Sequence, residues 1–451
     1  MRKLLSLKHN DTLAPLVRIA LPVMLANGVE TLYNLTDTWF LGRLGPREVA
    51  APSISFNLVM LIILVGTGLA GAGTTLIARA AGRKDREKVD FYLGQMASFL
   101  LLSSLVMGGA GFLLTDPFLR VIQTPADIFP LTRVYLRTVC LGVPFMYCFF
   151  ILQGAMQGTG NTMVALRVQL LATAVNIPLD ALLIFGAGPV PCLGVQGAAA
   201  ATVISRVVAA AAGMIILIRG NHGMVLTRKN MVFQRDALRL FLKLGLPSSL
   251  SQAGSSLGFT VLHGIVNSFG TAVIAAFGVV GKIHSLFYMP AQGLARATTT
   301  LVGQSLGADD PDRARRSVRT GILLGLLYII PGMMLTWFQG AHFIRFFVDD
   351  PQVIMEGTLI FRIISPSVII FVMFMVYGGA FQGAGDARSL MVLHLGRLWV
   401  FRLPLAWLFA LHLGWGPRGM WYAMLISNVA ITAAGYLRFR RGRWVHALQG
   451  E

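Results

Sequence analysis

The sequence predicts an all-α integral membrane protein, with twelve transmembrane helices in two six-helix lobes related by a pseudo-two-fold axis along the membrane normal. Three observations predict it. Hydrophobic residues make up 55% of the 451-residue chain and charged residues only 13%, about half the charged share of an ordinary soluble domain, roughly 25%. Stretches long enough to cross a bilayer, which takes about 20 apolar residues, recur along the whole chain. The chain also matches itself at one constant offset.

The composition argues against a cytosolic enzyme, a nucleic-acid-binding protein and a disordered chain. Mean hydropathy is +0.69. The net charge of +19 reads as basic loops facing an anionic membrane leaflet. A nucleic-acid partner would need a basic domain with interleaved aromatics, and the sequence has none. Three cysteines give neither a disulfide framework nor zinc spacing.

The apolar stretches fall near 14–40, 54–80, 91–115, 131–156, 163–185, 194–219, 240–266, 272–303, 317–338, 357–381, 389–411 and 417–438. Arg2 and Lys3 before the first one resemble the start of a signal peptide, but the run is too long and lacks a small-residue cleavage site, so a retained span is expected. Positive charge sorts the connections. Arg83, Lys84, Arg86 and Lys88 follow span 2; Arg219, Arg228, Lys229, Arg235 and Arg239 follow span 6; Arg313, Arg315, Arg316 and Arg319 follow span 8; and Arg438, Arg440, Arg441 and Arg443 form the tail. The opposite connections are sparser, and 186–196 and 267–271 carry no charge. This bias predicts an inner-membrane protein with both termini cytoplasmic.

A shift of 225 residues superposes the two halves. Leu21-Pro22 falls on Leu246-Pro247, Thr74-Thr75 on Thr299-Thr300, Arg120 on Arg345 and Arg137 on Arg362. Gly154, Gln157, Gly158 and Gly160 fall on Gly379, Gln382, Gly383 and Gly385. After a three-residue slip, Gly194 and Gly197 meet Gly416 and Gly419, and Ile204-Ser205 meets Ile426-Ser427. Each repeat holds an even number of spans, so the halves share one orientation and enclose a cavity near the midplane. The expected lobes are 1–220 and 239–451, joined by a cytoplasmic linker at 221–238. Two parallel lobes around a cavity suit a transporter working by alternating access, better than a channel or a membrane enzyme.

Ionisable groups inside spans are expensive and point to function. The acids are Glu30 and Asp37 in span 1 and Asp180 in span 5. Asn176 lies one turn before Asp180 on the same helix face, with Pro178 between them to loosen the backbone. Thr202 on span 6 adds a hydroxyl. Two carboxylates, an amide and a hydroxyl make a hard-oxygen set suited to Na⁺ or a shared proton; the alternative is that the aspartates cap a kink or bond a neighbouring helix. Glu30 and Tyr33 share a face with Asp37 and are candidates for the substrate cavity, although Glu30 could equally bond a neighbouring helix. Pro22 and Pro178 are hinge candidates.

The second half holds His263, Lys282, His284, Arg296, His394, Arg397 and Arg402 within its spans and no acid that can be placed there. These basic groups are expected to be structural, pairing with helix-end carbonyls, in preference to binding anions. Gly158-Thr-Gly160 and Gly383-Ala-Gly385 follow no strand and read as turns after spans 4 and 10. Asn34-Leu-Thr36 fits a glycosylation sequon inside a span. His9, His222 and His446 lie in loops without metal spacing, and no metal site is expected.

Several segments together resemble the multidrug and toxic compound extrusion (MATE) transporters. They are Leu21-Pro22, Tyr33-Asn34 with Asp37, Gly42 and Leu44-Gly45, then Gln153-Gly-Ala-Met-Gln-Gly-Thr-Gly-Asn161, Asn176-Ile-Pro-Leu-Asp180, and Gly194-Val-Gln-Gly197 with Ala201-Thr202. Met289-Pro290, Gly303-Gln304 and Arg397-Leu-Trp-Val-Phe-Arg402-Leu-Pro404 resemble the DinF-like branch. The resemblance covers essentially the whole chain. It implies that Asp37, Asn176, Asp180 and Thr202 form the coupling-cation site of the first lobe. Glu30 is not part of that pattern. The acidic site that another branch carries in the second lobe is absent here.

The resemblance implies an antiporter, not an enzyme, that exports amphipathic or cationic organic compounds. H⁺ or Na⁺ would bind at Asp37 and Asp180 in an outward-open state, and span 1 would then bend near Pro22. The alternative is a lipid-linked precursor flippase of the same superfamily. The expected partners are small organic molecules and membrane lipid, with no nucleic acid and no cofactor beyond the coupling ion. A monomer is expected to suffice.

Overall fold

The computed structural model describes residues 10–448; Arg2, Lys3 and His9 lie outside the described residues. Among those described, the chain forms twelve long helices. They are α1 (Asn10–Gly42), α2 (Pro46–Gly82), α3 (Arg86–Val121), α4 (Phe129–Thr159), α5 (Thr162–Phe185), α6 (Val195–Arg219), α7 (Arg235–Asn267), α8 (Thr271–Gly307), α9 (Pro311–Arg345), α10 (Pro351–Ala384), α11 (Ala387–His412) and α12 (Pro417–Arg440). Eleven are long and apolar enough to cross a membrane. The exception is α7, whose middle carries Ser248, Ser249, Ser251, Gln252, Ser255 and Ser256. Within α11, two stretches, Gly396–Arg402 and Trp407–His412, wind as wider π-helical turns.

The repeat is visible in the turns. Asp85 and Asp310 are equivalent positions, and each caps its helix by accepting a hydrogen bond from the backbone three residues on: Lys88 N at 3.0 Å and Arg313 N at 2.8 Å. The residues before them, Lys84 and Asp309, both adopt left-handed backbone, with φ of 58° and 54°. Gly160 and Gly385 end α4 and α10 with φ of 85° and 80°, where a side chain would be strained. They are helix ends, as the sequence predicts.

The chain packs as two compact units. The N-terminal unit comprises residues 22–249 and the C-terminal unit residues 10–21 and 250–448. In the first, α4 packs against α2, α3 and α6, and α5 against α6. In the second, α10 packs against α8, α9 and α12. The equivalent helices α4 and α10 are therefore the central ones. Each approaches a neighbour through a Gly-x-x-x-Gly pair, Gly154/Gly158 against α2 and Gly379/Gly383 against α8, the spacing that lets two helix backbones come close.

These units differ from the expected lobes at three places. The first turns of α1 belong to the C-terminal unit, where Thr12 Oγ1 and Thr320 Oγ1 share a hydrogen bond of 3.0 Å. The first half of α7 belongs to the N-terminal unit, where Ser249 Oγ donates to Val65 O at 3.1 Å. Residues 221–238 are not a free linker. Gln95 Nε2 donates to Asn230 O at 2.9 Å and Val232 O at 2.6 Å, Ser98 Oγ donates to Met231 O at 2.6 Å, and Val225 N donates to Asp90 Oδ1 at 2.6 Å. Polar side chains of α3 thus hold this segment along the N-terminal unit.

Candidate functional site

The N-terminal unit gathers the predicted polar residues. Glu30, Tyr33 and Asp37 recur at helical spacing along α1 and share one face. Asn176 and Asp180 stand one turn apart on α5, which runs helical through Pro178. Thr202 comes from α6. Tyr33 Oη and Thr202 Oγ1 share a hydrogen bond of 2.7 Å, which ties α1 to α6. One turn on from Thr202, Arg206 lies over the Tyr33 ring, 5.8 Å from its centroid, and its guanidinium is 3.8 Å from Glu30 Oε1. The α1–α6 contact is therefore a ladder with a neutral rung and a charged one.

Asp37 and Asp180 are close enough for their charges to interact. Asp180 is 0% exposed and Asn176 1%. Both Asp180 oxygens, both Asn176 amide atoms and Asp37 Oδ1 are buried and none makes a well-formed hydrogen bond, although the Asn176 amide stands close enough to Asp180 to favour its charge. A buried, unpaired polar atom costs about 1–3 kcal/mol and a charged one more, so this concentration in one place is not ordinary packing. Tyr135, from α4, is near enough to Asp37 and Asp180 to feel their charge, and it neighbours Tyr33. The set offers two carboxylates, an amide oxygen, a hydroxyl and phenols. A proton or a monovalent hard cation would relieve both the orphaned oxygens and the repulsion between the acids.

Two contributors were not among the predicted residues. Arg206 was detectable as an ionisable residue within span 6, one turn after Thr202. Tyr135 carries no such signal, because an isolated tyrosine on an apolar helix does not reveal which neighbour it meets. Glu30 lies two helical turns before Asp37 on α1, with its side chain 52% exposed and Arg206 as its partner. α1 is an unbroken helix through Pro22, and Pro22 is where it passes from one compact unit to the other.

The basic residues of the second half separate into surface and interior groups. His263 and Lys282 are exposed, and His263 Nδ1 is 2.8 Å from Phe259 O in its own helix. Arg397 and Arg402 are buried. The expectation that these groups pair with helix-end carbonyls fails for both. Arg402 bonds the side chains of Ser427 and Asn428, and Arg397 stacks on aromatic rings. The apolar interior of α11 brings these residues to side chains of other helices, away from any helix terminus.

The profile of the MatE family matches residues 22–182 and 247–408, one segment in each half of the chain. The probable multidrug resistance protein YpnP of Bacillus subtilis is 26% identical over 97% of this chain and 96% of its own. The probable multidrug resistance protein NorM of Thermotoga maritima is 26% identical over 95% and 92%. A solved structure of a multidrug resistance MATE family transporter of the MOP superfamily, in an outward-facing conformation, aligns with a TM-score of 0.89 and 25% identity over 97% of this chain and 96% of that one.

Proposed function

Because this chain belongs to the MatE family, and is thus a multi-pass membrane transporter and not an enzyme, we propose that it is a cation-coupled antiporter that exports amphipathic and cationic organic compounds. The observation that carries the coupling is the group of partnerless buried atoms on Asp37, Asn176 and Asp180. Two ionised acids that repel one another, with only the Asn176 amide beside them, form an unstable arrangement. A cation arriving between them, H⁺ or Na⁺, removes the repulsion, and Thr202 and Tyr33 supply neutral oxygens at the same place. Because Tyr33 is bonded to Thr202, a change at Asp37 is transmitted directly to the α1–α6 contact.

In this reading the protein lies in the inner membrane with both termini cytoplasmic and works by alternating access as a monomer. Cation entry drives the cycle, and one elementary charge moving through 100 mV supplies about 2.3 kcal/mol. Loading of the acidic pair lets α1 rearrange about Pro22, with Pro178 easing the backbone of α5, and releases cargo. Glu30 and Tyr33 line the path taken by the cargo, where Glu30 attracts its positive charge.

The test uses the purified protein in vesicles with a fluorescent cationic dye. An imposed pH gradient and an imposed Na⁺ gradient are applied separately. Dye movement driven by one of them, and lost in Asp37→Asn, supports the reading. Dye movement that ignores both gradients would overturn it.

A further inference from the structure

The C-terminal unit contains two buried arginines whose charge is not neutralised. Arg402 is 2% exposed and Arg397 6%. Arg402 donates from Nε to Ser427 Oγ at 2.9 Å and from Nη2 to Asn428 Oδ1 at 2.6 Å, and Asn428 Nδ2 donates on to Ser367 Oγ at 3.1 Å. Every acceptor is neutral, so Arg402 is held in place while its charge persists. Arg397 has no hydrogen-bond or ion-pair partner among the described residues, and its Nε is sealed without an acceptor. Its guanidinium lies over Phe371, 4.4 Å from the ring centroid, and 5.8 Å from that of Phe259. The two arginines are close enough to repel, and Tyr288 is near both. No carboxylate pairs with either among the described residues.

The backbone brings this pair together. Arg397 and Arg402 are five residues apart, which on an α-helix places them roughly 140° apart around the axis. The stretch that holds both, Gly396–Arg402, is π-helical, and its wider turns bring such residues toward one face; π segments occur frequently at functional sites. Where the N-terminal unit buries Asp180, the C-terminal unit buries Arg397 and Arg402. A buried charge without a counter-charge is costly, and an oxyanion would relieve it through both forked guanidiniums.

We propose that Arg397 and Arg402 form an anion-binding site within the C-terminal unit that takes the carboxylate or phosphate oxygens of an amphipathic organic molecule. The phenyl rings around Arg397 accept the apolar part of such a ligand, a contact that inorganic anions lack. The site is separate from the acidic pair and widens the range of the transporter from cations to zwitterions and anions.

Binding is measured by equilibrium dialysis of the purified full-length protein, with 1-naphthoate as the probe and 1-naphthamide as its neutral counterpart. Two charge-assisted hydrogen bonds predict about 10-fold or more tighter binding of the acid. Arg397→Gln should abolish that preference, Arg397→Lys should retain part of it, and neither should change 1-naphthamide binding. Arg397 is the residue to replace, because Arg402 also holds α11 to α12. Equal affinity of the wild-type protein for acid and amide would overturn the proposal, whether or not the variants fold, and so would an unchanged preference in Arg397→Gln. Added phosphatidylglycerol distinguishes the sources. Competition with 1-naphthoate assigns the site to a lipid headgroup and its absence to a soluble anion; both support an oxyanion site. Inorganic phosphate should compete only weakly.

Discussion

Asp180 is buried with both carboxylate oxygens unbonded, which makes its replacement by the isosteric amide informative. Asp180→Asn removes a charge that packing does not compensate, so the protein should remain folded and inserted. The same substitution removes the group proposed to take the cation, so gradient-driven dye export in vesicles should fall to background. Asp37→Asn should do the same, and wild-type export by both would locate the coupling elsewhere. Glu30 behaves differently. Its contact with Arg206 is 3.8 Å long, with the Glu30 side chain 52% and the Arg206 side chain 16% exposed, a loose pair worth about 1 kcal/mol. Glu30→Gln should therefore barely change thermal stability, while weakening binding of cationic dyes much more than of neutral dyes of similar size. Equal loss for both would make Glu30 a packing residue. Asp37, Asn176 and Asp180 were legible in the sequence because charges and amides stand out in apolar helices. Arg206 as the partner of Glu30 was not, because the sequence does not give the rotation of α6 against α1.

Helix–helix contact is set at the element scale by glycines whose role the repeat made visible. A Cβ on Gly379 would overlap the Ala295 carbonyl, and one on Gly383 the Thr299 carbonyl. These are backbone atoms of α8, which cannot move aside as a side-chain tip can. Alanine at either site gains up to about 1 kcal/mol of helix propensity, but overpacking costs about 1–3 kcal/mol, so Gly379→Ala and Gly383→Ala should lower the thermal midpoint in detergent. Gly278→Ala, on the same α8 with nothing within 4 Å of the new Cβ, should be neutral or stabilising. If all three shift alike, close backbone approach is not what these glycines provide. Helix positions and their glycine-capped ends were readable from apolar runs and the repeat. The π turns of α11 were not, because Gly396–Arg402 has no residue that forbids an ordinary α turn. The exchange of helix halves between units was equally hidden, since α1 and α7 are continuous in sequence and only their packing partners change.

At the scale of the whole molecule, the charge bias of the connections predicts an orientation that one native residue can report. Cys192 is exposed, in the uncharged connection between α5 and α6, while Cys140 is buried and Cys148 partly so. If both termini are cytoplasmic, this connection is external, and a membrane-impermeant maleimide added to intact cells should label Cys192. The opposite face is tested in a Cys192→Ser background with one cysteine added in place of Lys84 or Lys229, both exposed. Neither should react until the cells are permeabilised. A cysteine at Ser268, in the uncharged turn between α7 and α8, should react like Cys192. Lys229 is the decisive position, because it follows six helices and precedes α7, whose polar middle makes it the weakest candidate to span. Label at both Ser268 and Cys192 from outside, with Lys229 protected, requires α7 to cross despite its serines, and gives each half six spans in the same orientation. External label at Lys229 would reverse that face and undo the parallel relation between the repeats.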